Sequence, residues 1–135
     1  METQTTSHNK ILIVDDDKFL LDMYSLKFKE KGFEVETAFG SINALSKLKE
    51  GNTYEALVLD LVMPTMDGFE FLEEAIANNL LGDTAVIILS NLGQQSDIER
   101  GKKLGAQGYI VKANSTPSEV VEKVLSIIEK NKKTS

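Results

Sequence analysis

The first apolar run of this chain stops in acid. The stretch ILIVDDDKF passes from four aliphatic residues directly into Asp15, Asp16 and Asp17, and carboxylates crowded in this way make one another harder to ionise. Another apolar run ends in Asp60, and two more end in Ser90 and Lys112. Side chains of these types can bind a cation, move protons or accept a group as nucleophiles. The chain contains no cysteine, so disulfides and thiolate metal sites are excluded and any metal must take oxygen ligands.

The elements that must position these residues are legible in the pattern. A chain of 135 residues, 41% hydrophobic and 27% charged, has the size and composition of one globular domain. A net charge of −6 argues against nucleic acid as a partner. The apolar runs are too short to span a bilayer, and METQTTSHNK has no hydrophobic signal region. The expectation is a cytoplasmic domain over 10–130. Residues 1–9 read as a disordered polar start, with His8 as an exposed tail residue, and 131–135 as a solvated polar tail.

Five short apolar runs alternate strictly with amphipathic ones. Strands are predicted at Lys10 to Val14, Glu34 to Ala38, Glu55 to Asp60, Ala85 to Ser90 and Gly108 to Lys112. Helices are predicted at Lys18 to Lys31, Ser41 to Glu50, Gly68 to Asn78, Ser96 to Lys103 and Pro117 to Lys130. Thr116 with Glu119, and Ser96 with Glu99, match capping boxes, while Gly32, Gly51 and Gly105 stand where helices should stop. Runs one, three and four are almost wholly apolar, which indicates central strands of a parallel sheet covered on both faces. The fold class is α/β, a doubly wound five-stranded parallel sheet.

In open parallel sheets ligands gather beyond the carboxyl ends of the strands. Asp15 and Asp16, Asp60, Ser90 and Lys112 all fall there. Taken singly, each Asp is better read as a helix cap. Asp60, however, lies well ahead of the next helix, and the set as a whole is the signal.

The motifs IVDDD, LVLDLVMPTMDG, IILS and GYIVK, in this order and spacing, resemble the receiver domain of two-component response regulators, notably the single-domain chemotaxis regulator. The resemblance covers Lys10 to Lys130. It implies a flavodoxin-like (βα)5 fold with strand order 2-1-3-4-5. It also implies a phosphoacceptor domain whose only chemistry is self-phosphorylation and autodephosphorylation, not a turnover enzyme.

Three carboxylates converging at one edge repel strongly unless a cation lies among them, and a small hard cation that keeps several waters describes Mg2+ better than Ca2+. By the resemblance, Asp16 and Asp60 bind Mg2+ directly, Asp15 does so through water, and the Val62 carbonyl supplies another oxygen. Asp17 reads as charge at a helix start. Asp60 would accept a phosphoryl group from a sensor histidine kinase or phosphotransfer protein, with Lys112 neutralising developing charge. Ser90 would be the switch hydroxyl and Tyr109 the aromatic residue that swings behind it. The outcome would be a changed α4-β5-α5 surface that regulates a downstream target protein, with dimerisation on activation left open.

Pro64, Met66, Asp67 and Gly68 read as shaping the loop after Asp60, with Asp67 capping the next helix. The sequence departs from the family pattern at Ala113, where receivers usually carry a cis proline. A non-proline cis bond costs about 2.5–4 kcal/mol, so a trans bond and a rearranged loop are predicted there. Val62 and Leu92 are expected to screen the phosphorylated carboxylate from water and slow its hydrolysis. Two rival readings are weaker. A Mg2+ phosphohydrolase would need an acid two residues after its nucleophile, where Val62 stands and cannot transfer protons. A receiver-like interaction module that is never phosphorylated would have lost the acid pair, the acceptor or the lysine, and all are intact.

Overall fold

The computed structural model describes residues 10–134; the expectations for residues 1–9, His8 included, lie outside the described residues. Strands β1 (Lys10–Asp15), β2 (Glu34–Phe39), β3 (Ala56–Leu59), β4 (Ala85–Ser90) and β5 (Gly108–Val111) alternate with helices α1 (Lys18–Glu30), α2 (Ser41–Lys49), α3 (Gly68–Ala77), α4 (Gln95–Lys103) and α5 (Pro117–Thr134). The five strands form one parallel sheet in the order β2-β1-β3-β4-β5, a flavodoxin-like arrangement.

The near-continuous apolar runs divide between two cores by strand alternation. Leu12, Val14, Leu57, Leu59, Val86 and Ile88 face one side, where Ala44 and Leu48 of α2 and Phe71 and Leu72 of α3 cover them. Ile11, Ile13, Ala56, Val58, Ile87 and Leu89 face the other, under Leu21 and Phe28 of α1 and Val120, Val124 and Ile128 of α5. Strands β1, β3 and β4 are buried along nearly their whole length, and edge strand β2 is not. That is the burial a sheet sandwiched by helices requires.

Local chemistry fixes most helix starts. The Asp17 carboxylate accepts from Leu20 N at 3.2 Å and caps α1. Asp67 and Glu70 form a reciprocal capping box on α3 at 2.9 Å in both directions. Thr116 and Glu119 do the same on α5. The expected box from Ser96 to Glu99 is not the one that forms. Helix α4 starts one residue earlier, and the Asp97 carboxylate accepts from Gln94 N at 3.3 Å. Both frames place an acid three residues after a polar residue, and the one that forms lies two residues earlier.

Helix α4 is sparsely anchored. Gly101 is its buried residue, and a Cβ there would lie 2.7 Å from Ile88 Cδ1 and 3.3 Å from the Tyr109 ring. Arg100 reaches across to α3, its guanidinium 4.3 Å from the Phe69 ring centroid and 3.5 Å from Glu73 Oε2. Helix α5 runs four residues beyond the predicted Lys130, to Thr134, through lysines that suit a helix C-terminus. Among the described residues, no helix is long and apolar enough to cross a membrane.

Candidate functional site

The sheet register delivers the acids to one place. Asp15 ends β1, and its backbone carbonyl accepts from Gly40 N at 3.0 Å, while Asp60 N donates to Val14 O at 3.0 Å just past β3. Carboxylate oxygens of Asp15, Asp16 and Asp60 lie within 4.8 Å of one another. Asp15 and Asp60 are buried and Asp16 is partly open to solvent. The donor set is all oxygen, on a small cluster of like charges, so these residues fit a hard divalent cation such as Mg2+.

Lys112 enters the cluster from the far side of the sheet. Its Nζ lies 2.9 Å from Asp15 Oδ2 and 3.4 Å from Asp60 Oδ2. Burial works against the ammonium charge, but the Asp15 hydrogen bond and the two carboxylates outweigh it and hold the lysine above its ordinary value. The Asp15 carboxyl is also pushed up, first by burial and then by the charge of Asp60, even though Lys112 and Asp17 N, 3.0 Å from Oδ1, oppose the shift. One lysine therefore leaves the acids undercompensated.

Backbone amides orient the candidate acceptor. Asp60 Oδ1 accepts from Leu61 N at 2.8 Å and from Val62 N at 3.5 Å, which leaves Oδ2 toward Lys112. Val62 is thus placed beside the cluster by its own backbone. The loop is held close by Gly68, where a Cβ would lie 2.5 Å from Asp60 O and 2.8 Å from Leu61 Cα. Gly68 N donates to Leu61 O at 2.8 Å.

Ser90, fully buried, ends β4 opposite Val111, the residue before Lys112. Its Oγ accepts from Leu92 N at 3.3 Å, and the Tyr109 hydroxyl donates to Leu92 O. Leu92, singled out in the sequence for its side chain, is therefore gripped on both sides of its backbone, a link that its identity does not announce. Burial first, then Asp97 and Asp60, push the Tyr109 phenol up to about 12. The described residues contain no cis peptide bond. The Lys112–Ala113 bond is trans, as predicted, and the chain past Lys112 folds into a short 3-10 turn, Lys112–Asn114.

Tyr24 was not singled out by the sequence. Buried in α1, it feels both Lys112 and Asp15, and burial raises its phenol. Its spacing is that of any core aromatic.

The comparisons with known proteins agree with this geometry. The chain is 32% identical over 123 residues to the transcriptional regulatory protein CpxR homolog of Haemophilus influenzae, covering 91% of this chain and 52% of that protein. It is 30% identical over 130 residues to transcriptional regulatory protein ResD of Bacillus subtilis, covering 96% and 52%. It spans about half the length of these regulators. The crystal structure of a CheY-like response regulator receiver domain protein from Methanospirillum hungatei superposes with a TM-score of 0.84 at 29% identity, covering 96% of this chain and all of that one. Response regulator protein TrrA of Thermotoga maritima, solved in complex with Mg(2+)-BeF, gives 0.73 at 29% identity over 87% of this chain and 97% of that one. Residues 11–125 match the family described as response regulator receiver domain, and the chain belongs to that family.

Proposed function

We propose that Asp60 is a Mg2+-dependent phosphoacceptor, loaded by a sensor histidine kinase or a phosphotransfer protein. The observation that carries this reading is the convergence of Asp15, Asp16 and Asp60 within 4.8 Å, with Lys112 Nζ bridging Asp15 and Asp60. In the reaction an Asp60 carboxylate oxygen attacks the phosphorus of a phosphohistidine. The new O–P bond forms as the N–P bond breaks, and the imidazole nitrogen leaves with the electron pair.

Each side chain has a distinct task. The amides of Leu61 and Val62 hold the Asp60 carboxylate in one orientation, so little rotational freedom is lost on reaction. Lys112 sits where it can exchange an Asp15 oxygen for a phosphoryl oxygen, since both lie at one rim. Asp15, Asp16, Asp60 and the Val62 carbonyl would hold the metal. When bound, Mg2+ supplies neutralisation of the charge that develops on the phosphoryl oxygens.

Ser90 and Tyr109 then read the modification. A Ser90 hydroxyl drawn toward the phosphoryl group releases Leu92 N, and Leu92 O is the acceptor that fixes Tyr109. One local event thereby biases the α4-β5-α5 surface, which regulates a downstream protein in the cytoplasm. Titration with beryllofluoride or phosphoramidate in MgCl2 tests the reading. A response lost in Asp60→Asn and on chelation is expected, and no response in the unmodified chain would end it.

A further inference from the structure

At the other end of β3 from Asp60 the molecule holds a hollow of about 760 Å3. Its walls are the turns after α2 and α3 and the last turns of α5, with Leu48, Leu81 and Ile128 in the lining. A concave space of that size, mostly apolar with a few polar groups, suits a small organic molecule.

Glu55, the residue before β3, lines this hollow with a side chain only 8% exposed. Lys132 of α5 pairs with its Oε2 at 3.0 Å. The other oxygen, Oε1, is shut from solvent and has no hydrogen-bond partner; among the described residues it is the one buried side-chain nitrogen or oxygen so placed. A buried acceptor without a donor is costly, and more so on a carboxylate. The Lys132 side chain, by contrast, is 52% exposed, so it can swing toward solvent and leave both oxygens to an incoming donor. The field in the hollow favours a cation. Lys49 and Lys132 balance Glu55 and Asp83 in formal charge, and α2, α3 and α5 all end there, where a helix carries partial negative charge.

We propose that this hollow binds a small organic cation, an alkylguanidinium or alkylammonium ion. Its N–H groups take both Glu55 oxygens in place of Lys132, and its stem lies on Leu48, Leu81 and Ile128. The site is separate from the acids at the carboxyl end of the sheet and does not depend on the role given to Asp60.

Agmatine, which carries a guanidinium and an ammonium, is titrated into the full chain and followed by amide NMR signals, with excess MgCl2 to compete at Asp15, Asp16 and Asp60. Saturable shifts at Gly51 and Gly82 are expected, with a Kd below about 1 mM. N-butylacetamide, a neutral molecule of similar length, should bind at least about tenfold more weakly, and Glu55→Gln should weaken agmatine by as much. Lys132→Met should tighten agmatine binding about three- to tenfold, because no resident ammonium has to be displaced. Glu99→Gln, on an exposed acid of α4, should leave the affinity unchanged. Should Glu55→Gln fail to fold, Lys132→Met decides, since a lysine that only braces α5 would not tighten binding when removed. Absence of saturation in the unmodified chain would overturn the proposal, as would unchanged or weaker binding in Lys132→Met. Equal binding of N-butylacetamide, equal loss in Glu99→Gln, or shifts confined to the amides around Asp15 and Asp60 would overturn it too.

Discussion

The Lys112 ammonium donates to Asp15 Oδ2 at 2.9 Å across a sheet edge on which β4 and β3 separate their two strands. The lysine thus serves as resident counter-ion to a group of acids it cannot fully neutralise.

Removing that counter-ion exposes the imbalance. Lys112→Met is expected to destabilise the metal-free protein by about 1–3 kcal/mol, somewhat below the figure for breaking a fully buried pair. Because the folded-state lysine is raised above 10.5, its stabilisation is present below that value and is lost as pH rises through the higher folded value. Urea unfolding with and without MgCl2 checks this, and added Mg2+ should rescue the variant more than the unmodified chain.

If the acids hold Mg2+ as proposed, the raised Asp15 carboxyl predicts acid-sensitive metal binding. Its folded value lies above 3.8, so the proton competes with Mg2+ at a higher pH than for a free aspartate. Without metal, the charged form is disfavoured by folding, so the Asp15 contribution to stability, read as the difference from Asp15→Asn, should fall as pH rises from 3.8 through the raised value. With Mg2+ the slope should reverse. Thermal melts across this window, paired with calorimetric Mg2+ titration, decide it.

Gly68→Ala should damage the site without touching a charged group. The added Cβ meets backbone atoms at 2.5 and 2.8 Å, which cannot swing aside as a side chain would. A loss of about 1–3 kcal/mol is expected, together with slower phosphoramidate loading as the Asp60 loop shifts.

Coupling through Leu92 predicts a separable defect. Ser90→Ala should still load Asp60, yet beryllofluoride should no longer alter the ring signals of Tyr109 in NMR spectra. Tyr109→Phe, which loses the bond to Leu92 O, should keep loading within about threefold, a change of under 1 kcal/mol.

Much of this was readable in the chain. Residues such as Ile11 to Val14 and Ala85 to Leu89 are apolar at every position because alternate side chains enter two different cores, and that continuity already implies central parallel strands. Asp60 stood out because nothing helical began beside it. Boundaries were less secure. Lys112 reads as the end of β5 but opens a 3-10 turn. The Ser90–Leu92–Tyr109 link runs through backbone atoms of a loop, to which sequence is blind. Tyr24 was hidden for another reason, as its phenol feels the charges of Lys112 and Asp15 only after α1 has packed on the sheet.

Helix α4 touches the sheet through Gly101, a residue with no side chain, and buries little else. A wall seated on bare backbone has hardly any grip of its own, so a shift of the Tyr109 ring beneath it would be felt along the whole segment. The helix over Tyr109 is thus the one with the fewest buried residues to fasten it.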